Sequence, residues 1–522
     1  MLPLKRGIAL RAHLPSRLPY QPWSVLVPLV VVEWLGLAVE AHRVDHNGWL
    51  FGNGRGETLY YTTSWLLGGG DIAHALVGYG MPVLLAPVSW IAGANLLSAL
   101  PLVVVLQVVL LLPATAFGAY VLGARSGGRL IGYLAAAAWT LGPFASTWYF
   151  ELHTSWRDQV VPELLGLTAR PELPATALLL LAGVLVLRAL DERRLVDAAA
   201  AGAFASFAVA IQPSNVLFLV APPLAFLTAL RLRELAAFAA ALVPATLTYL
   251  LWSERGSGQV SLLLPHHDFS WALLKLNWTY LQTSSWSPRV LEWIAVAGFV
   301  ALLKRAPAKA LFFGAWLGAY ALAEGASPGL RAEHAPFWHL LMPAFPAFCA
   351  LTASLPLLWP RAERRLPERF PYRPARLVPL AGPAALVLVV PLVALVAASP
   401  LHARDAAVGI PRADALVPLR GPRATVRAGG DRVTLSWPAL GDQRATIAYA
   451  VYRSEAGRDL ACTTRGATGC ELEMKWIGTT RTTSFSEPRG RGASTYRVGV
   501  IASTRGVTGK PLVLLGPPAV VR

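Results

Sequence analysis

Apolar residues in this chain gather into blocks of about 17 to 25, the length a helix needs to cross the hydrocarbon of a bilayer. Short basic hops separate the blocks. Inside hydrocarbon each backbone N–H and C=O must be satisfied within its own segment, so blocks of this kind fold as membrane-crossing helices. Composition agrees: 55% of the 522 residues are hydrophobic and 14% charged, where soluble domains carry roughly 25% charged residues. Mean hydropathy is +0.49. An ordinary cytosolic enzyme is excluded, and an all-α polytopic membrane bundle is expected.

The formal charge of +17 is high enough to raise nucleic-acid binding, which uses a basic face clustered on a folded domain. The basic residues of the apolar part instead sit between blocks, where they set orientation through the positive-inside rule. No nucleic-acid partner is expected. The same rule gives a topology.

Residues 1–22 carry Lys5, Arg6, Arg11 and Arg17 and read as a cytoplasmic N-terminus. The run from Trp23 to about Val39 contains Glu33 and is followed by no good cleavage site, so it reads as an uncleaved signal anchor. Further spans are expected near 98–122, 130–149, 174–190, 196–212, 215–230, 235–252, 290–303, 308–325, 336–359 and 377–399, about eleven in all. With residues 1–22 inside, twenty Lys and Arg fall on the cytoplasmic side and eight in the outer loops. An odd number of spans puts everything after residue 400 outside. The expected location is the plasma membrane. The stretch "MPVLLAPVSWIAG" (81–93) is too short and proline-broken to span and reads as an interfacial helix.

The membrane domain is therefore 23–399. A linker over 400–419 leads to a different composition over 420–522, where "DRVTLSWPA", "TIAYAVYRS", "KWIGTT", "TTSFSEP" and "STYRVGVIAST" alternate with period two between turn residues. That pattern predicts a small all-β sandwich. Trp437 in the second strand, Tyr449 and Tyr452 in the third and Tyr496 early in the sixth resemble a fibronectin type III domain over roughly 420–521. Cys462 and Cys470 bracket an insertion between strands and are expected either to close a small disulfide loop or to remain two thiols. Sandwiches of this kind usually bind or space, so no chemistry is assigned to it.

Chemistry is expected outside the membrane, where the loops are long, rich in Trp, Tyr and His, and more acidic than basic. The first loop carries "GNGRGETLYYTTSWLLGGGDIAHALVGYG" and runs into the interfacial helix; late in the chain comes "HAPFWHLLMPAFPAF" (334–348). The order of these parts over about residues 20–400 resembles the GT-C superfamily of membrane glycosyltransferases. The resemblance implies transfer of a sugar from a polyprenyl-phosphate donor to an envelope glycan, lipid or protein acceptor on the outer face, with a first-loop carboxylate as base. Members often show an Asp-Glu pair four and three residues before a Tyr; here Gly56 and Glu57 precede Tyr60. Glu57 is the first choice for the catalytic carboxylate, Asp71 the second and Asp45 the third. A carboxylate suits the role because the acceptor hydroxyl must lose its proton as the glycosidic bond forms.

The leaving phosphate needs a cation. Arg331, the one basic residue of its loop, and Arg157 in the second outer loop are the expected contacts. Tyr60, Tyr79, His153 and His334 are expected to line the substrate. His266, His267 and Asp268 are adjacent and point to opposite faces of an extended segment, so no metal site is expected; a divalent metal is compatible with the chemistry but indicated by no ligand spacing. Two rival functions differ in class. A lipid or solute transporter predicts ionisable residues within spans and internal repeats. A non-catalytic envelope protein would bind a glycan or protein through its sandwich and use the bundle as an anchor.

Overall fold

The computed structural model describes residues 22–44, isolated positions between 49 and 67, then 78–92, 96–149, 156–254, 269–281, 290–328 and 330–358. In the tail it describes 422–439, 446–455, 475–490, 493–503, 513–515 and 519–521. The described part is mostly helical, with a small antiparallel-sheet region near the C-terminus.

Among the described residues five helices are long and apolar enough to cross a membrane: Trp23–Arg43, Ala99–Gly127, Glu172–Glu192, Leu232–Trp252 and Ala335–Leu358. Further helices lie where spans are expected, at Arg129–Tyr149, Leu195–Ile211, Val290–Leu303 and Pro307–Gly325. The expected block at 377–399 lies outside the described residues. The stretch read as interfacial is a helix of 13 residues, Gly80–Ala92, about 20 Å long and so too short to span.

One helix is interrupted by a π turn and a second π turn leads into the helix Val161–Leu164; proline explains both. Gln107–Leu111 is π-helical inside Ala99–Gly127, two residues before Pro113. Trp156–Val160 is π-helical two residues before Pro162. A proline offers no N–H and its ring crowds the carbonyl four residues back, so the ladder is relieved by a wider turn. Both π turns border the site described below.

Aromatic edges hold the bundle's centre. Phe218 meets Phe312 and Trp316 edge-on, with ring centroids 6.0 and 4.8 Å apart, a favoured arrangement of ring quadrupoles. Elsewhere small residues let backbones touch: a Cβ on Gly132 would come within 2.7 Å of the Tyr120 carbonyl oxygen. At one end of the bundle the hops "ARSGGR", "RALDERR" and "KRAPAK" meet. Lys309 pairs with Asp191 at 2.7 Å and donates to the Arg125 carbonyl at 2.6 Å, while Arg125 pairs with Glu192 at 2.9 Å.

The tail forms strands β1 (Thr425–Gly429), β2 (Arg432–Ser436), β3 (Thr446–Glu455), β4 (Lys475–Thr480), β5 (Ser484–Pro488), β6 (Ser494–Ser503), β7 (Val513–Leu515) and β8 (Ala519–Val521). One sheet has the order β1-β2-β5; the other runs β4-β3-β6-β7, with β8 also on β6. All pairs are antiparallel. Val433, Leu435, Tyr449, Val451, Tyr496 and Val498 are buried on the alternation the sequence predicts. Trp437 falls just past β2 and stacks edge-on against Tyr449 at 5.3 Å. The Tyr496 hydroxyl donates to Glu487 Oε1 at 2.6 Å, a side-chain partner on β5 where a tyrosine corner would use backbone. Cys462 and Cys470 lie outside the described residues.

Candidate functional site

The second outer loop builds most of the site. Val161–Leu164 is a single helical turn started by Pro162, and it ends at Gly166, whose φ of 69° is the left-handed cap that glycine favours. Leu167 N–H donates back to the Pro162 carbonyl at 2.8 Å and Gly166 N–H to that of Glu163 at 3.0 Å. From there the chain runs past Thr168, whose carbonyl accepts from Gln107 Nε2 at 2.7 Å, and re-enters a helix at Glu172 behind Pro171. The turn and the two prolines thus bring Glu163, Arg170 and Glu172 to one place.

Two distant segments complete it. Glu57 Oε1 accepts from the Ala169 backbone N–H at 2.9 Å. His339, on the helix Ala335–Leu341, sits with Nδ1 against Glu163 Oε2. Arg170 Nη1 lies 3.1 Å from His339 Nε2 and 3.5 Å from Glu163 Oε2. A guanidinium only donates, so Nε2 accepts and the ring proton belongs on Nδ1, facing Glu163. Glu57 and Glu163 are each 1% exposed, and Glu172 and His339 are buried as well.

Three buried carboxyls, those of Glu57, Glu163 and Glu172, therefore interact with one guanidinium, that of Arg170. Burial holds the Glu163 carboxyl above the usual carboxylate range, with Glu172 and Arg170 pulling the other way. The Tyr60 phenol is likewise held above its ordinary value, first by burial and then by the Glu172 carboxylate, against Arg170. Donor atoms of Glu163, Glu172 and His339 all lie within 4.8 Å of one another, a set able to hold a metal ion.

Of the residues expected from sequence, Glu57 and Tyr60 belong to this cluster. The cation grouped with Glu57 is Arg170, while Arg331 and Arg157, the expected phosphate contacts, lie elsewhere. Arg331 and His334 are exposed, and Arg157 Nη2 donates to the Arg43 carbonyl at 2.6 Å, tying the second loop to the end of the first helix. Tyr79 Oη donates to the Ala245 carbonyl at 3.3 Å and its ring faces Trp252. Asp45, Asp71 and His153 lie outside the described residues, as do His266, His267 and Asp268. Glu163, Arg170 and Glu172 were not singled out. The signal for them is Pro-Glu-Leu written twice, at 162–164 and 171–173, two acids each set behind a helix-starting proline in an otherwise apolar stretch.

Beside the cluster lies a cavity of about 800 Å³. Its wall includes Leu164 and Trp338, the sequence neighbours of Glu163 and His339, together with Trp139, Trp156 and Phe345. Trp156 and Trp338, both in its wall, meet edge-on at 4.7 Å. The lining residues Trp278, on the helix Trp271–Tyr280, and Val296, on Val290–Leu303, are each 49% exposed. Glu33 is the one carboxyl in the wall. No protein-family model matches the chain, and no curated protein matches it.

Proposed function

We propose that this chain is a polytopic membrane glycosyltransferase of the GT-C kind, with about eleven spans, that moves a sugar from a polyprenyl-phosphate donor to an acceptor on the outer face of the plasma membrane. One observation carries the reading: the first-loop carboxylate Glu57 is buried, oriented by the Ala169 N–H, and grouped with Arg170, Glu163, Glu172 and His339. The apolar cavity alongside suits the isoprenoid part of such a donor.

In this reaction the acceptor oxygen forms a bond to the anomeric carbon while the bond from that carbon to the donor phosphate breaks. Glu57 takes the acceptor proton. The phosphate leaves with the electron pair, and Arg170 stabilises its charge. The tail is proposed as a fibronectin type III-like sandwich outside the membrane; its β1-β2-β5 and β4-β3-β6-β7 sheets support that reading.

The test is transfer of radiolabelled sugar from a panel of polyprenyl-phosphate-sugar donors to membrane extract, with purified wild type and Glu57→Gln. Wild type is expected to transfer, and the variant to lose about 10²- to 10⁴-fold while staying folded. Label retained by Glu57→Gln moves the base to another carboxylate. No transfer from any donor removes the reading. A second reading, transport, is favoured by Glu33, a buried carboxyl of the first helix whose Oε2 has no hydrogen-bond partner. Uptake of label into sealed vesicles without product formation would select it.

A further inference from the structure

We infer that Glu163, Glu172 and His339 form a site for one divalent transition-metal ion of the Mn²⁺ or Zn²⁺ kind. The inference rests on reading this cluster as the reacting centre, and adds to it a cofactor.

Three observations carry it. The first is distance. Ligand atoms about 2.0–2.2 Å from one ion stand at most about 4.4 Å apart, and the three donor atoms here already lie within 4.8 Å of one another. Small side-chain adjustments close the set around an ion.

The second is unused acceptor capacity. Glu163 Oε1 and Glu172 Oε2 are buried and have no hydrogen-bond partner. Native proteins rarely leave buried carboxylate oxygens so. Both belong to residues of the same three-residue group, so an ion held there would find free acceptor atoms on each carboxyl.

The third is charge. Among the described residues, Glu57, Glu163 and Glu172 share one guanidinium, Arg170. Ionised to bind an ion, these carboxylates would carry two negative charges beyond what Arg170 offsets, and a divalent ion neutralises both at one point. The donor set selects among ions: two carboxylates and an imidazole suit Mn²⁺ or Zn²⁺ better than Mg²⁺ or Ca²⁺, which take oxygen ligands.

Arg170 makes the prediction sharper. Its Nη1 sits 3.1 Å from His339 Nε2, which assigns the imidazole proton to Nδ1. An ion bound through Nδ1 moves that proton to Nε2, where it would meet the guanidinium donor. Loading the site therefore turns Arg170 off the imidazole.

The experiment uses the full chain purified in detergent, stripped with EDTA and titrated with Mn²⁺ or Zn²⁺. Bound metal is counted by mass spectrometry of the metal, and Mn²⁺ is followed by electron paramagnetic resonance. One ion per chain is expected. Binding should weaken at least about tenfold in Glu163→Gln and in Glu172→Gln, with thermal unfolding confirming that each variant is folded. Glu57→Gln should still bind. In His339→Gln the nitrogen coupling to bound Mn²⁺ should vanish. Absence of a stoichiometric ion, or equal binding by wild type and Glu172→Gln, overturns the inference. The two readings separate cleanly: an ion bound without sugar transfer upholds the site and removes the transferase, whereas transfer by stripped protein at the full rate, with no ion bound, does the reverse.

Discussion

Arg170 is the residue on which the cluster's stability turns. It is the guanidinium among Glu57, Glu163 and Glu172, and its side chain is 17% exposed. Removing one partner of a buried ionic group leaves the others uncompensated, a loss of about 3–5 kcal/mol. Arg170→Ala should therefore destabilise the protein by roughly that amount, measured as thermal unfolding in detergent. Arg157→Ala, which removes one contact to a backbone carbonyl at the surface, should cost about 1 kcal/mol or less. Glu163→Gln placed in the Arg170→Ala background should recover part of the loss, because it removes one of the uncompensated charges. Equal losses for the two arginines would mean that the cluster holds little electrostatic free energy. At this scale the sequence was half legible. Glu57 stood out because it precedes Tyr60 in an outer loop. Arg170 did not, because besides the nearby Glu163 and Glu172 the cluster draws on positions 57 and 339, more than a hundred residues away in either direction.

Elements were easier to read than their irregularities. Apolar block length gave most of the described helices, though the block at 215–230 is a 3-10 turn, Pro213–Val220, followed by the short helix Ala221–Thr228; period-two alternation gave β2 to β6 nearly residue for residue. The π turns at Gln107–Leu111 and Trp156–Val160 were not foreseen, although each is announced by a proline two residues on. Their value is positional: the first sits where Gln107 can hold the Thr168 carbonyl, and so the backbone that orients Glu57. In the tail a contact between the two sheets, from Tyr496 on β6 to Glu487 on β5, depends on pH. Burial first, then the Glu487 carboxylate, pushes the Tyr496 phenol from 10.0 up to about 12. The folded state thus keeps this proton more tightly than the unfolded chain does. Stability from this group is full below pH 10 and is lost as pH rises toward about 12. Tyr496→Phe should lower stability at neutral pH by about 1.5–3 kcal/mol, the worth of a hydrogen bond to a charged group, and should flatten the alkaline loss. Alkaline unfolding curves of the full chain in detergent check both; an unchanged slope would assign the alkaline loss to other groups.

For the whole molecule, the helix Glu172–Glu192 links the two kinds of chemistry the chain contains. Its first residue belongs to the acidic cluster, and Asp191 and Glu192 at its other end pair with Lys309 and Arg125. With a rise of 1.5 Å per residue the ends stand about 30 Å apart, the thickness of bilayer hydrocarbon. Block lengths and basic hops predict that the Asp191 end faces the cytoplasm, because both follow from the cost of moving charge through lipid. Which blocks pack together was not readable, since packing between apolar helices is decided by shape. Orientation can be tested by replacing Cys349, Cys462 and Cys470 with Ser and adding one cysteine at an exposed site near each end. Arg194 is exposed beside Glu192, and His334 is exposed ahead of the helix that carries His339. A membrane-impermeant maleimide should label His334→Cys in intact cells and Arg194→Cys only after permeabilisation. The reverse pattern would turn the cluster to the cytoplasm and exclude an outer-face reaction. Labelling of both from one side would mean that Glu172–Glu192 does not cross the bilayer, and the basic hops would then owe their position to ion pairing with Asp191 and Glu192 alone.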